Sequence, residues 1–157
     1  MTTTLFDDSH IDWQTLTGFE HLHYFVLDID TNAGTVIVLF KFAAGKQIIL
    51  HRHKVPNDTF VIQGEHRIYE ADGELREIRK VGSYTRSPAS EVPHREGGGE
   101  IDAIVLFCIH GSDGWFYEIL DDDFNIIAGL GMPDFIALHK DQLQMKTAES
   151  SGKESTR

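Results

Sequence analysis

The chain has 157 residues, of which 41% are hydrophobic and 10% aromatic, enough for one globular domain with a buried core. Its 25 acidic and 14 basic residues give a formal charge of −11, which disfavours nucleic acid as a partner. No apolar run approaches the roughly 20 residues of a membrane span, the N-terminal residues do not resemble a signal peptide, and Cys108 is the single cysteine. We therefore expect a cytoplasmic protein without disulfides and without a membrane partner.

Most of the predicted secondary structure is β-strand. Runs of β-branched and aromatic residues alternate with turn signals such as Asp72-Gly73. A series of short strands of this kind is typical of an antiparallel sandwich or barrel. In chain order, the predicted strands span residues 24–29, 35–42, 47–53, 59–63, 66–70, 74–79, 101–109, 115–120 and 124–128.

One helix is predicted, after the last strand. Pro133 occupies a first helical position, Asp134 lies in the first turn, and apolar residues recur at helical spacing through residue 143. Residues 146–157 are polar and are predicted to form a disordered tail. The sequence therefore predicts a single domain over residues 1–145, without internal repeats, and a tail over residues 146–157.

Histidines at strand spacing suggest a metal site. Side chains at positions i and i+2 of a strand lie on one face, about 7 Å apart, so the imidazoles of His51 and His53 can converge on one ion. His94 follows a turn-rich segment and is expected on a neighbouring strand. Three protein ligands leave coordination positions open, as in catalytic metal sites. The remaining histidines are expected outside the site, with a strand-spaced pair at His21 and His23 and surface positions for His10, His66, His110 and His139.

Two segments resemble a known family. Residues 45–64 contain the pattern G-x5-H-x-H-x3-N-x6-G, which resembles the first motif of the cupin superfamily, and residues 82–94 contain G-x5-P followed by His94, which resembles the second. The resemblance implies an all-β cupin fold, a jelly-roll-like double-stranded β-helix that forms a barrel, with a short C-terminal helix. It also implies a homodimer or homotetramer, because cupins commonly assemble through sheet edges.

The first motif departs from the usual cupin pattern at Asn57. In cupins, two histidines and a glutamate of the first motif and a histidine of the second bind a divalent metal, and Asn57 stands at the glutamate position. The chain thus resembles the three-histidine cupins that cleave acetylacetone or dihydroxyacetophenones. That resemblance implies one divalent metal per chain, Fe(II) or else Zn, Ni or Mn, bound by His51, His53 and His94, with dioxygen as a reactant. Asn57 is not expected to bind the metal itself.

The chemistry of three neutral imidazoles favours an enzyme. They leave the full dipositive charge on the ion, which favours an anionic chelating ligand such as the enolate of a β-dicarbonyl compound. We therefore interpret the chain as an Fe(II)-dependent dioxygenase that cleaves a carbon–carbon bond of a small β-diketone or hydroxyketone. Two alternatives are a zinc-binding cupin that senses a small molecule without turnover, and a non-redox metal-dependent isomerase or hydrolase.

Strand alternation predicts the residues around the metal. Glu96 has the parity of His94 and is expected to hydrogen-bond a ligand imidazole. Tyr84 and Arg86 are expected near the mouth of the pocket, where they would meet an anionic substrate, and Leu50 is expected to face outward. The full set predicted to support the metal or to line the pocket is Gln47, Asn57, Thr59, Tyr84, Arg86 and Glu96.

Overall fold

The computed structural model describes residues 5–154, with side chains described as far as residue 148. β-Strands make up most of the regular structure, as the sequence predicts, and a helix follows the last strand. The strands are β1 (Gln14–Thr15), β2 (Leu22–Asp30), β3 (Thr35–Phe42), β4 (His51–His53), β5 (Asn57–Gln63), β6 (His66–Tyr69), β7 (Leu75–Arg79), β8 (Tyr84–Ser87), β9 (Arg95–Gly97), β10 (Ala103–His110), β11 (Trp115–Leu120) and β12 (Ile126–Gly131), and the helix is α1 (Met132–Glu154).

The largest sheet contains six strands in the order β1-β2-β3-β10-β5-β8, and all neighbouring strands in it are antiparallel. Alternate residues of a strand point to the same face, and on one face of the central strands they are almost completely buried. This face therefore forms the hydrophobic core. Its members on β3 and β10 include Val36, Val38, Val105, Phe107 and Ile109.

Two three-stranded sheets, β12-β11-β4 and β7-β6-β9, are linked to each other through their shortest strands. Isolated backbone bridges join Gln47 to Gly97 and His51 to His94. Gly97 is required at this crossing, because a Cβ atom there would lie 1.9 Å from the carbonyl oxygen of Lys46. The fold thereby places residues 51–53 beside residues 94–96.

Three short strands, β1, β8 and β9, are absent from the sequence prediction. They contain two, four and three residues, too few for a hydrophobic alternation to be recognised. Their existence depends on partners that are distant in the sequence, such as β5 for β8 and β6 for β9. The other strands begin and end within a few residues of their predicted positions, apart from the strand predicted over residues 47–53.

That predicted strand is reduced to the three residues of β4. The backbone before β4 bonds alternately to two different neighbours: the Ile48 N–H donates to the carbonyl of Glu96, and the carbonyl of Leu50 accepts from the Leu120 N–H. Simple alternation therefore does not extend across the segment. Leu50 is 1% exposed, so the prediction that it faces outward is wrong.

Helix α1 begins at Met132, one residue before the predicted start. The carboxylate of Asp134 accepts a hydrogen bond from the Gly131 N–H at 2.7 Å, which fixes the first turn. Farther along, the buried Gln142 side chain bonds to both backbone polar groups of Val26. Its Oε1 accepts from the Val26 N–H at 3.0 Å, and its Nε2 donates to the Val26 carbonyl at 2.9 Å. The helix is thereby tied to β2.

The helix continues to Glu154, beyond the predicted end at residue 143. It includes residues 146–154 of the predicted tail, where Lys, Ala and Glu are good helix formers. Residues 155–157 lie outside the described part of the chain, and the division into a domain and a tail stays a prediction. Within residues 5–154, no helix is both long enough and apolar enough to cross a membrane.

Candidate metal centre

Strand β4 presents His51 and His53 on one side. Both imidazoles are buried, and their ring centroids lie 5.2 Å apart. Pairing with β11 holds β4 in place along one edge, where Ile119 lies opposite His51 and Tyr117 opposite His53. The two histidines therefore occupy fixed positions beside each other, as their i, i+2 spacing predicts.

The other edge of β4 carries the remaining candidate ligands. His94 exchanges both backbone hydrogen bonds with His51, at 3.0 and 2.8 Å, so the two residues are directly paired. Glu96 lies two residues farther along β9, and its side chain points to the same side. Its Oε2 atom lies 2.7 Å from Nε2 of His51 and 3.5 Å from Nε2 of His53 and of His94.

These four side chains have the spacing of ligands that share one ion. Metal–nitrogen distances of about 2.1 Å separate two ligands by about 3.0 Å at a right angle and about 3.4 Å at a tetrahedral angle. The ring Nε2 atoms of His53 and His94 are 3.2 Å apart. All the candidate ligand atoms of His51, His53, His94 and Glu96 lie within 4.8 Å of one another, and the cluster could hold one metal ion.

His51 and Glu96 face each other in a geometry that requires positive charge between them. The Nδ1 atom of His51 lies 2.8 Å from the carbonyl oxygen of Ile49, which can only accept, so Nδ1 carries the proton of a neutral ring. Nε2 is then an acceptor, yet it lies 2.7 Å from a carboxylate oxygen of Glu96, also an acceptor. Two acceptors this close repel each other unless a metal ion or a second ring proton lies between them.

Burial and hydrogen bonding set the charges of the cluster. Burial raises the pKa of Glu96, but its polar contacts with the four surrounding histidines outweigh burial and hold this pKa well below the ordinary 4.5. Burial lowers the pKa of His53 from 6.5 to about 4, although Glu96 opposes the shift. Burial also lowers the pKa of His94. At neutral pH these residues are therefore an anion and two neutral imidazoles, the forms that bind a divalent ion.

Asn57 is occupied elsewhere, although it lies beside the cluster. It is completely buried, its Oδ1 accepts a hydrogen bond from the Tyr117 hydroxyl at 2.6 Å, and its Nδ2 donates to the Val55 carbonyl at 2.9 Å. The carboxylate that the first motif lacks at Asn57 is instead supplied at Glu96, from the strand that follows His94. Glu96 thus lies closer to the other candidate ligands than a merely supporting residue would.

The structure also adds His66, which the sequence places at the surface. His66 is fully buried, stacks on Phe42, and donates from Nε2 to Oε1 of Glu96 at 2.7 Å. The expectation of a surface position is wrong because β6 pairs with β9 and brings Ile68 opposite Glu96. Nothing in the local spacing of His66 signals this contact. Its role is to fix one carboxylate oxygen, which leaves the other oxygen to face the three histidines.

A polar cavity of about 230 Å³ opens onto His53, His94 and Glu96. Thr59, Arg76 and Arg79 also line it. A smaller pocket of about 40 Å³, lined mainly by apolar side chains, borders His51 and Glu96. The cluster therefore borders both a polar cavity and an apolar pocket.

Three of the predicted pocket residues lie outside this polar cavity. Tyr84 and Arg86, which were expected near the mouth of the pocket, lie on β8, where Thr85 and Ser87 are half-buried, whereas Tyr84 is 62% exposed and the Arg86 side chain 66% exposed. Gln47 precedes the regular part of β4, and its side chain donates to the Gly73 carbonyl. Asn57, Thr59 and Glu96 do line the cavity.

Comparison with known proteins agrees with this architecture. The family model of the ChrR cupin-like domain matches residues 1–112. Similar solved structures include an RmlC-like cupin protein from Ralstonia eutropha, with 21% identity and a TM-score of 0.71 over 92% of this chain and 89% of that one. A proposed acetylacetone dioxygenase from Methylibium petroleiphilum has 16% identity and a TM-score of 0.66, covering 88% and 95%. An acetylacetone dioxygenase from Acinetobacter johnsonii has 15% identity and a TM-score of 0.64, covering 87% and 89%.

The fold is that of a cupin, which confirms the predicted fold class and the resemblance. Because the family model covers more than half of the sequence, the chain belongs to the ChrR cupin-like domain family. No curated protein sequence matches the chain. At these sequence identities, the similarity to the solved structures establishes the fold alone.

Proposed function

We propose that this protein is an Fe(II)-dependent dioxygenase that cleaves a carbon–carbon bond of a small β-diketone or hydroxyketone, bound as a chelating enolate. The observation that carries the proposal is the cluster of His51, His53, His94 and Glu96 at a polar cavity, in which the short contact between His51 and Glu96 is relieved by a metal ion or by a second ring proton. Two structural neighbours that bear the name acetylacetone dioxygenase support the choice of reaction.

The donor set suits a divalent ion and an anionic ligand. When bound, Fe(II) would supply a point of chelation for both enolate oxygens and the redox activity that a reaction with dioxygen needs. His51, His53 and His94 would hold it as neutral ligands, and Glu96 would offset one of its two positive charges. A singly charged enolate offsets the other, so the buried site favours an enolate over a neutral ketone.

The surrounding residues order the cluster. His66 fixes the orientation of the Glu96 carboxylate through the bond to Oε1. The Tyr117 ring packs edge-on against His53, with centroids 4.8 Å apart, and its hydroxyl is held by Asn57. Burial raises the pKa of Tyr117 well above its ordinary value, so this hydroxyl stays protonated and acts as a donor. These contacts hold the ligand imidazoles in one arrangement.

Elemental analysis followed by oxygen consumption tests the proposal. The full chain, purified without a metal-binding tag and loaded with Fe(II), should bind about one iron per chain at the cluster of His51, His53, His94 and Glu96. It should consume oxygen when acetylacetone or a related β-diketone is added. His94→Ala should bind far less iron and show no substrate-dependent uptake. Iron at full occupancy in wild type, with no uptake across a panel of β-diketones and hydroxyketones, would contradict the proposed reaction.

A zinc-binding cupin that senses a small molecule is the second candidate. Four protein ligands are enough to close a tetrahedral zinc site, and the structure offers four in His51, His53, His94 and Glu96. Membership of the ChrR cupin-like family is compatible with this function. Tightly held zinc, no oxygen uptake after exchange with iron, and stabilisation by an added small molecule would favour it.

A further inference from the structure

The wall of the polar cavity that faces the metal cluster carries two guanidinium groups. We propose that Arg79, assisted by Arg76, forms a subsite for a carboxylate, and that the ligand of this protein is a chelating diketone with a carboxylate at its far end. The inference rests on the proposed function, because the diketone end would occupy the metal cluster. It narrows the substrate class from neutral diketones to oxo-acids.

The guanidinium group of Arg79 is held along one edge, and its other edge faces the cavity. Its side chain is 13% exposed, and Nε and Nη2 donate to the two carboxylate oxygens of Glu77 at 3.1 and 3.2 Å. Nη1 lies 3.4 Å from the Thr59 hydroxyl, which is too long for a strong bond. Both Arg79 and Thr59 line the cavity. The Nη1 group is therefore positioned and only weakly engaged.

Arg76 repeats this arrangement on the same strand. Its Nε and Nη2 donate to the two oxygens of Glu70, both at 2.7 Å. Glu70 is not among the cavity residues, whereas Arg76 is. Among the side chains of residues 5–148 and the backbone of residues 5–154, no partner engages Nη1 of Arg76. A planar guanidinium fixed along one edge presents its remaining donors in a defined direction, which suits a carboxylate.

Each of the two guanidiniums is already paired with one carboxylate, Arg79 with Glu77 and Arg76 with Glu70. A divalent ion beside Glu96 would leave one positive charge in the cluster, which the enolate of a diketone matches. A carboxylate at the far end of the ligand would then accept hydrogen bonds from the Nη1 groups of the two arginines. A diketone without a carboxylate has no group that can do so.

The volume of the chamber limits the ligand to a small molecule. At about 230 Å³, it is smaller than the pockets of about 300–1,000 Å³ that hold drug-sized ligands. The metal cluster and the arginines lie within this single chamber, so one small molecule can reach both. We therefore expect a short oxo-acid rather than a polymeric ligand.

Equilibrium binding to the Zn(II)-loaded full chain tests the subsite without turnover. The two probes are 4,6-dioxoheptanoate and heptane-2,4-dione, which share the chelating diketone and have the same number of chain carbons but differ in the terminal carboxylate. Isothermal titration calorimetry at pH 7 should show roughly 10- to 100-fold tighter binding of 4,6-dioxoheptanoate, the range expected for hydrogen bonds to a charged group. Arg79→Met should reduce this preference to within about threefold, and Arg79→Lys to an intermediate value.

Arg86→Met is the matched control, because it removes the same charge from an exposed position outside the cavity. It should keep the full preference. Zinc stoichiometry and thermal unfolding establish that each variant is folded, and Arg76→Met, which should also reduce the preference, replaces Arg79→Met if the latter does not fold.

Each contrary result has a distinct meaning. Equal affinity of the two probes for wild type overturns the carboxylate subsite and leaves the metal-chelate function standing. A preference lost equally in Arg79→Met and Arg86→Met also overturns it, because general charge would then be the cause. Failure of both probes to bind the zinc-loaded chain overturns the metal-chelate function and the subsite with it.

Discussion

At the scale of single residues, the carboxylate of the cluster comes from a different sequence position than the cupin motif predicts. Glu96 and Asn57 lie on different strands, yet both approach the histidines. Both polar side-chain atoms of Asn57 form hydrogen bonds, one with Tyr117 and one with Val55, whereas both oxygens of Glu96 face imidazoles. The charge of the site is consequently lower by one than three imidazoles alone would give, which revises the sequence-based argument for a fully dipositive ion.

The exchange of Glu96 for glutamine tests this assignment. Glu96→Gln keeps the size of the side chain but removes the negative charge, so we expect the affinity for Zn(II) or Fe(II) to fall by at least about 10- to 100-fold. Competition with a chromophoric chelator measures the affinity. Glu118→Gln is the control, because Glu118 is also a buried carboxylate but binds Arg52 outside the cluster. Equal metal affinity in Glu96→Gln and wild type would exclude the carboxylate as a ligand.

The buried histidines predict a pH dependence for the metal-free protein. The pKa of His53 is about 4 in the folded chain and near 6.5 when unfolded, so the unfolded state binds more protons between these values and stability falls as the pH is lowered. For this one group, the free energy of unfolding should decrease by about 2 kcal/mol between pH 7 and pH 5. The lowered pKa of His94 acts in the same direction, and that of Glu96 does so below about pH 4.5.

Urea denaturation of the apoprotein at pH 7, 6 and 5 measures this slope. In His53→Gln the neutral side chain does not titrate, so the loss between pH 7 and pH 5 should be smaller than in wild type. An identical slope in the variant would mean that other groups cause the pH dependence.

Residue spacing and motif were sufficient to predict part of the candidate metal site. His51, His53 and His94 follow from local spacing and motif, and the parity of Glu96 with His94 placed it near the ligands. His66 and Arg79 could not be found in this way, because each reaches the site through a strand pairing with no local signature. Tyr84 and Arg86 were misplaced because the side of a four-residue strand that faces inward depends on its partner.

At the scale of elements, one polar side chain joins helix α1 to strand β2 by hydrogen bonds, in addition to the apolar packing between them. The register between β2 and β3 shifts between Val26 and Asp28, and Gln142 supplies hydrogen bonds to both backbone groups of Val26. Gln142 is itself 5% exposed. The helix thus supplies hydrogen-bond partners for the backbone of Val26, where the sheet is irregular, and also covers the sheet.

Gln142→Leu should destabilise the protein strongly. The substitution leaves the N–H and the carbonyl of Val26 buried without partners, at about 1–3 kcal/mol for each group, so we expect a loss of about 2–6 kcal/mol in the free energy of unfolding. Urea denaturation at pH 7 measures the loss. The control is Gln144→Leu, at an exposed position of the same helix, for which the change should stay within about 0.5 kcal/mol. Similar values for the two variants would contradict the role of Gln142.

The predictability of the elements depends on their length. Strands β3, β10 and β11 have six to eight residues with a strong apolar pattern, and the sequence located them well. β8 and β9 are too short to show a pattern, although β9 carries Glu96. The C-terminal extension of α1 was not predicted because residues 146–154 lack a hydrophobic stripe and include Thr, Ser and Gly, which are poor helix formers.

At the scale of the whole molecule, a bound metal ion should stabilise the fold, because the cluster joins two sheets. Metal at 100 times its dissociation constant adds about 2.7 kcal/mol to the free energy of unfolding, which corresponds to a rise of roughly 5–10 °C in Tm for a domain of this size. Differential scanning calorimetry with and without chelator measures it. His94→Ala should show no such shift, and a shift of wild-type size in that variant would place the stabilising ion elsewhere.

The homodimer or homotetramer implied by the cupin resemblance stays a prediction at this scale, and sedimentation of the metal-loaded chain measures it. Cytoplasmic location likewise stays a prediction.

The backbone pairing of His51 with His94 affects how long an ion stays bound rather than how tightly it binds. Each residue donates its N–H to the carbonyl of the other, at 3.0 and 2.8 Å, so moving these two side chains apart also breaks two backbone hydrogen bonds. Escape of an ion from the cluster is thereby coupled to a local opening of the strands. In hydrogen–deuterium exchange, metal should slow the His51 and His94 amides together, and the lifetime of the bound ion should follow the opening rate that these amides report.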